Sequence, residues 1–459
     1  MEKEHRLADT NISRLLLKLA LPATVGMLVT ALYNIVDTIF IGQWVGSDGI
    51  AGLSIVFPIQ LIVMGFGLMI GMGGASIISR ALGAKDYDKA NLTFGNQILS
   101  VLIFSSLIML PGLIFPKEIL TLFGAKDEFL SHALAYYRII VYGAPLFMFA
   151  MMSNNVLRAE GHAKVAMSNM LISAGLNIVF DPVFIYWFDM GVQGAALATV
   201  LAQGIVVFYL IFHFTKGHSS FRIRLKYLKL KLKILKETYA IGMAAFGRQV
   251  AGSLTVVIIN KTLGNFDLGV IYIAVYGIVN RLFSLFFMPM FGIGQGLQPV
   301  LGYNYGAGRL DLAKKAIRLA FTWAISISTL AFIIIQIFPE HLMSPFVNKT
   351  HYNSSQVLEV GTFAMRRMTL LFPLIGFQVI GSTIFQALGR AGEALILSLS
   401  RQILFFIPIF YPMAHYFEFT GVLYTFPIAD ALAFVVTFIV VLREYKRWKK
   451  MEAKQPMVI

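Results

Sequence analysis

The chain has no cysteine, which excludes disulfide staples, thiolate metal ligands and thiol nucleophiles and says nothing of compartment. Charge is scarce as well: Asp, Glu, Lys and Arg make up 13% of the 459 residues, about half the share of an ordinary soluble domain. The HExxH helix of a metalloprotease, the GxxxxGK[ST] phosphate loop and the GxSxG nucleophile turn are all missing, so no catalytic residue is assigned and no enzyme is expected. The first residues, MEKEHRLADTNISRLLLKLALP, spread their charges and lack a small-residue cleavage signal. They read as the approach to a retained apolar span, not as a removable signal peptide.

What is present is apolar. Hydrophobic residues reach 58% and mean hydropathy is +0.74. Runs such as 98–114, 165–188, 319–338 and 417–442 approach or exceed the roughly 20 residues that cross about 30 Å of hydrocarbon. The pattern predicts an all-α polytopic membrane protein with about twelve transmembrane helices, near 14–41, 50–80, 93–115, 131–157, 163–187, 192–215, 236–263, 270–300, 316–339, 358–387, 393–416 and 419–443.

A net charge of +15 could signal nucleic acid, but the basic residues sit in short connections between apolar spans, so no nucleic-acid partner is expected. Arg80, Lys85 and Lys89 follow the second span, Arg158 and Lys164 the fourth, and Arg309, Lys314, Lys315 and Arg318 the eighth. The link after the sixth is rich in Lys, whereas 42–49 has neither Lys nor Arg. By the positive-inside rule the basic connections and both termini face the cytoplasm. In LKYLKLKLKILK, lysines alternating with apolar residues would suit a segment lying on anionic headgroups; the plainer reading is a linker.

That linker separates two related halves. The segment beginning GMGGASIISRALGAKDYDKA at Gly71 recurs as GQGLQPVLGYNYGAGRLDLA at Gly294, with Gly71, Gly83 and Asp88 matched by Gly294, Gly306 and Asp311 at a constant offset of 223 residues. A second echo pairs RAEGHA around Gly161 with QALGRA around Gly389. The expected organisation is an N-terminal six-helix half (1–215) with a cation site, a basic cytoplasmic linker (216–236), a C-terminal six-helix half (237–443) and a basic cytoplasmic tail (444–459). With like motifs on one side of the membrane, the halves are related by a pseudo-two-fold axis along the membrane normal, as in transporters with parallel repeats.

A carboxylate inside a span is costly and marks function by default. Asp37 lies in ALYNIVDTIFIG and Asp181 in LISAGLNIVFDPVFIYW. Asn34 shares a helical face with Asp37, and Asn177 with Asp181, while Pro182 disrupts its helix and frees a carbonyl. Two carboxylates together in low dielectric cannot both stay charged cheaply, so the pair should hold a proton or a metal ion. The repeat offsets set Asp37 opposite Asn260 and Asp181 opposite Ile409, which confines the acidic site to the N-terminal half. Arg248, Arg281, Arg401 and Asp430, in or near C-terminal spans, read as internal ion pairs; Tyr33, Asn34, Gln295 and Gln298 are candidates for a substrate path.

Taken together, LALPATVGMLVTALYNIVDTIFIG, SRALGAKDYDKA, LRAEGHAKVAMSNM, GLNIVFDPVFI, GVQGAALATVLAQG, GIGQGLQPVLGYNYGAGR and FQALGRAGEA resemble the multidrug and toxic compound extrusion (MATE) family of the multidrug/oligosaccharidyl-lipid/polysaccharide exporter superfamily, over nearly the whole chain. Similarity to its prokaryotic DinF-like branch implies a cation-coupling site at Asp37, Asn177, Asp181 and Thr199, open to H⁺ or Na⁺, and a bending point at Pro22. The acidic C-terminal pattern of the NorM-like branch is missing where Tyr272, Gly277 and Asn280 stand. The resemblance implies a plasma-membrane secondary antiporter, monomeric and free of cofactors, that exchanges H⁺ or Na⁺ for amphipathic or cationic organic compounds by alternating access. A lipid-linked oligosaccharide flippase of the same superfamily is the alternative, opposed by twelve spans and an acidic N-terminal site; a non-transport membrane protein is opposed by the repeat.

Overall fold

The computed structural model describes residues 6–45, 47–123, 125, 127–217, 219–346 and 354–452. Among these residues every regular element is helical, as expected where lipid offers backbone amides no partner. In the first half α1 is Ile12–Trp44, α2 Ser47–Gly83, α3 Tyr87–Ile114, α4 Asp127–Ala159, α5 Ala163–Pro182 and α6 Gly191–Lys216. In the second, α7 is Leu232–Leu263, α8 Gly269–Gly306 and α9 Leu310–Ile337. The next span, α10, is bent by 54° between Ser355–Met368 and Phe372–Ala387. Pro373 opens its second segment, a position that needs no backbone N–H donor and restarts a helix in a new direction.

The last apolar stretch, Ala391–Lys450, runs for 60 residues, about three membrane thicknesses if straight. It reverses at Glu418, where φ is 48° and ψ −134°. Phe406 packs on Phe426 and Arg401 meets Asp430, so the two arms, α11 (391–417) and α12 (419–452), lie antiparallel. With the bent pair counted as one span and this hairpin as two, the described residues hold twelve candidate spans. The helices overrun the pattern limits at many ends: α3 begins at Tyr87 and not 93, α8 continues to Gly306 and not 300, and α9 begins at Leu310 and not 316. The connection read at 42–49 is largely helical, and α12 continues to Glu452; the end of the tail, 453–459, lies outside the described residues.

The repeat is a structural one. Lys85 and Gly308, 223 residues apart, both take positive φ (59° and 71°), as do Gly161 and Gly389 (85° and 77°). At the basic end α2 and α8 cross so closely that a Cβ on Gly83 would lie 2.0 Å from the Tyr303 carbonyl oxygen, and one on Gly306 would lie 2.1 Å from that of Arg80. Arg80 and Tyr303 are themselves repeat equivalents, so each half makes the same contact on the other. Ser76 donates to the Gln386 carbonyl at 2.5 Å, Gln298 to the Met72 carbonyl at 2.9 Å, and Arg80 pairs with Glu237 at 2.9 Å. One apolar core, holding Leu16, Ile78, Phe94, Leu297, Leu301 and Trp448, gathers both halves at this end. At the opposite end each half has its own core, around Val56, Tyr137 and Ile185 in the first and around Val275, Phe410 and Val422 in the second. The protein is therefore joined at its basic end, and the two cores at the other end do not merge.

The linker leaves α6 at Lys216 and docks back on the first half. Lys231 N–H donates to Asn96 at 2.8 Å, and Gly95 gives the Tyr227 carbonyl room. In the turn between α4 and α5 the buried Glu160 carboxyl accepts from Ser219 Oγ at 2.6 Å and from Phe221 N–H at 3.3 Å, with His162 Nδ1 3.9 Å from its other oxygen. Burial pushes Glu160 up from 4.5 to about 8, against the pull of these hydrogen bonds and of Arg6. The folded state therefore favours the protonated acid: docking is strongest below its ordinary value and weakens as pH rises through about 8. Trypsin cleavage at Arg222 and Arg224 is expected to accelerate between about pH 7 and pH 9 beyond its rate change on a free peptide. Glu160→Gln should abolish that excess, and an equal acceleration in the variant would contradict the assignment.

Candidate cation site in the N-terminal half

The α5 helix carries Ser173, Asn177 and Asp181 on one stripe, four residues apart. Two rungs tie that stripe to α6: Gln203 Nε2 donates to Ser173 Oγ at 2.8 Å, and Asn177 Nδ2 donates to Thr199 Oγ1 at 3.1 Å. Thr199 passes its own proton to the Ala195 carbonyl at 2.9 Å, so its oxygen stays aimed at Asn177. Asn177 Nδ2 also lies 3.5 Å from Asp181 Oδ1, a long contact that orients more than it binds. Immediately beyond Asp181, Pro182 removes a backbone donor, and the helix widens into a π-helical turn at Val183–Trp187, an irregularity common beside functional groups.

The α1 helix packs against α5 and brings Asp37 within side-chain hydrogen-bonding reach of Asp181. Asp181 is fully buried and Asn177 nearly so. Among the described residues Asp37 Oδ1, Asn177 Oδ1 and Asp181 Oδ2 are buried without a hydrogen-bond donor, and no cationic side chain acts on either carboxylate. Unpaired acceptors that face one another are expensive to bury. Their chemistry, two carboxylates, an amide and a hydroxyl, is that of a hard monovalent cation or of a shared proton.

Asp37, Asn177, Asp181 and Thr199 thus lie together, with Tyr33 beside them. The side chain of Asn34 lies outside the described residues. Two further residues were not anticipated. Tyr136 of α4 lies near enough to feel both carboxylates, and Gln60 of α2 donates to its hydroxyl at 3.3 Å. Tyr136 is one of 18 tyrosines, and only the packing of α4 on α2 singles it out. Of the candidate path residues in the second half, Gln298 is spent on the inter-half bond to Met72, and Gln295 Nε2 rests 3.3 Å from Met27 Sδ. In this conformation both join helices. Arg401 and Asp430 form a 2.5 Å ion pair, the internal pairing expected of them, while Arg281 is exposed.

Pro22 is buried about a third of the way along α1, which continues as one helix from Ile12 to Trp44. Its missing N–H leaves the Lys18 carbonyl without the usual helical partner. Two turns further on, Thr30 Oγ1 bonds back to the Gly26 carbonyl at 2.9 Å, a contact that favours bending.

The MatE family model matches residues 22–183 and 246–411, a stretch in each half. The multidrug export protein MepA of Staphylococcus aureus (strain MRSA252) is 28% identical over 434 residues, covering 94% of this chain and 93% of its own. A structure of the MATE multidrug transporter DinF-BH in complex with R6G matches with a TM-score of 0.89 at 39% identity, over 96% of this chain and 98% of that one. A MATE crystal structure in the bent conformation matches with a TM-score of 0.89 at 26% identity, over 98% of both chains. With both halves of its repeat matched in this way, the chain belongs to the MatE family and is a multi-pass membrane transporter of the multidrug-efflux kind.

Proposed function

We propose that this protein is a cation-coupled antiporter that exports amphipathic, often cationic, organic compounds, with H⁺ or Na⁺ as the coupling ion. The observation that carries the reading is the side-by-side placement of Asp37 and Asp181, deep in the first half, with buried oxygens that no described donor or cation satisfies. An entering ion, held by Asp37, Asn177, Asp181 and Thr199, neutralises that charge; a cationic substrate competes for it. The test is efflux from liposomes holding the purified protein under an imposed H⁺ or Na⁺ gradient. Transport driven by either gradient supports the reading, and transport indifferent to both contradicts it.

In this reading the basic end is cytoplasmic, both termini lie inside the plasma membrane, and the conformation described here is the outward-facing one of a monomer, its cytoplasmic end closed by the α2–α8 crossing. Single cysteines in this cysteine-free chain test the orientation. A cysteine at Arg224, exposed on the linker, should resist an impermeant thiol reagent added outside intact cells, and one at Glu340, exposed at the opposite end, should react. The reverse labelling would invert the topology.

Bending at Pro22 would change the distance between Asp37 and the Asn177/Asp181 stripe. Pro22→Ala restores a backbone donor and stiffens α1. Turnover should fall about tenfold, while equilibrium substrate affinity changes less than about twofold. Unchanged turnover would remove the hinge.

A further inference from the structure

The linker between the halves is fastened by its backbone and leaves most of its side chains exposed. The Asn96 amide of α3 holds it twice, donating to the Lys229 carbonyl at 3.0 Å and accepting from Lys231 N–H at 2.8 Å. The Tyr227 carbonyl fits against Gly95, where a Cβ would come within 2.1 Å of it, and the Tyr227 hydroxyl donates to Asp88 at 3.2 Å. Along this seam Leu225, Leu230 and Leu232 are 86%, 55% and 80% exposed. They are interleaved with Lys226, Lys229, Lys231 and Lys233, all of them exposed.

Neither set of side chains is balanced by the protein. The ion pairs at this end join Arg80 and Lys89 to Glu237 and Arg390 to Glu444; among the described residues the four linker lysines take part in none. Bare leucines alternating with lysines are costly in water and suit an anionic interface, which accepts both. The level of the seam fits as well. On α3 the exposed apolar face begins at Leu102 and Ile103 and continues through Leu107 and Leu110, and Gly95 precedes Leu102 by two turns, about 10 Å along the axis. On α6 the exposed apolar face reaches Phe212, one turn before that helix ends at Lys216 and the linker begins. The seam thus borders two lipid-facing surfaces at the depth of the headgroups.

We infer that the strip from Leu225 to Lys233 is a docking surface for anionic phospholipids, whose phosphates meet the lysines while the leucines enter the top of the acyl layer. A basic connection by itself sets only topology. Here Asn96 and Gly95 root the lysines in a fixed backbone, so that headgroups meet a row of charges held at one place and depth. The inference goes beyond the export reading and does not depend on the coupling ion.

The experiment places an NBD fluorophore on Leu225→Cys of the full chain, in nanodiscs of phosphatidylcholine with a minority of phosphatidylglycerol. Quenching by a nitroxide carried on phosphatidylglycerol is compared with quenching by the same mole fraction of nitroxide on phosphatidylcholine. The ratio should be at least about threefold in favour of phosphatidylglycerol and should return to about one when Lys226→Gln, Lys229→Gln and Lys233→Gln are combined. Combining Lys85→Gln, Lys164→Gln and Lys315→Gln removes as many exposed charges from the same end and should leave the ratio within about 1.5-fold of the parent. Raising ionic strength from about 0.1 M to about 1 M, which shortens the screening length from about 10 Å to about 3 Å, should lower the ratio without any substitution, a reading that survives if a variant folds poorly. Equal quenching by both lipids in the parent, an equal loss in the two triple variants, or a ratio unmoved by salt would overturn the inference. So would a ratio erased by excess inorganic phosphate at constant ionic strength, which would mark a site for soluble anions. Each of these results leaves the export reading standing.

Discussion

Asp37→Asn and Asp181→Asn are each expected to reduce gradient-driven efflux by at least about a hundredfold, while expression and thermal stability stay close to those of the parent. The reason is the same for both. Each carboxylate has a buried oxygen without a donor, a group that is costly in the resting fold and is satisfied only by an entering ion or a cationic ligand. An amide of the same shape brings its own donor, fills part of that need permanently, and removes the charge for which ion and substrate compete. Asp430→Asn serves as the contrast, because Asp430 is already matched by Arg401 at 2.5 Å and its loss should cost much less gradient-driven efflux. The measurement is dye efflux from liposomes under an imposed gradient, alongside the melting temperature in detergent. Wild-type coupling in either N-terminal variant would remove that residue from the site.

The second large effect concerns the closure itself. Gly83→Ala and Gly306→Ala would each place a methyl carbon about 2 Å from a backbone carbonyl oxygen of the other half, which no side-chain rotation relieves. Overpacking of this kind costs about 1–3 kcal/mol. Because the strained contact exists only while the basic end is closed, that cost shifts the conformational balance roughly 5- to 150-fold toward states open at that end. Transport should fall in proportion to the lost closed population. Ser79, fully buried there and close to Gly302, supplies a reporter: a Ser79→Cys thiol should be protected in the parent background and at least about tenfold more reactive when combined with Gly306→Ala. Equal reactivity in the two backgrounds would mean that the crossing does not control closure.

Much of this was legible because lipid makes sequence explicit. Asp37 and Asp181 stand out as charges in apolar text, and Gly83 and Gly306 declare the repeat by spacing alone. The break between the last two spans was also readable, although its cause, the reversal at Glu418, was not. Thr199 carries no such signal and entered only through family resemblance, since a threonine in a helix is cheap to bury when it bonds back to the carbonyl four residues earlier, as this one does. Tyr136 and Gln60 were invisible because their role depends on which faces of α2 and α4 meet, a choice made by packing between residues 76 apart. Gln298 was ambiguous for a related reason. A polar residue in a span signals either a path or a helix contact, and the bond that Gln298 makes here, to the Met72 carbonyl, has a partner 226 residues away that the sequence does not announce. Arg248 shows the converse, since pairing was the plain expectation and the fold sets it against the Phe291 ring, with no carboxylate partner among the described residues.

The claim at the centre of this account is that ion and substrate exclude one another at the Asp37/Asp181 pair. Linkage requires that such competition be reciprocal, each ligand weakening the other by the same factor. The most direct test is the affinity of a cationic dye for the purified protein, measured across pH and across Na⁺ concentration, for the parent and for Asp37→Asn. The account predicts that dye affinity in the parent weakens at least about tenfold as one of the two ions saturates its site, and that the dependence disappears in Asp37→Asn. Affinity in the parent that is insensitive to both ions, with dye binding otherwise intact, would contradict it.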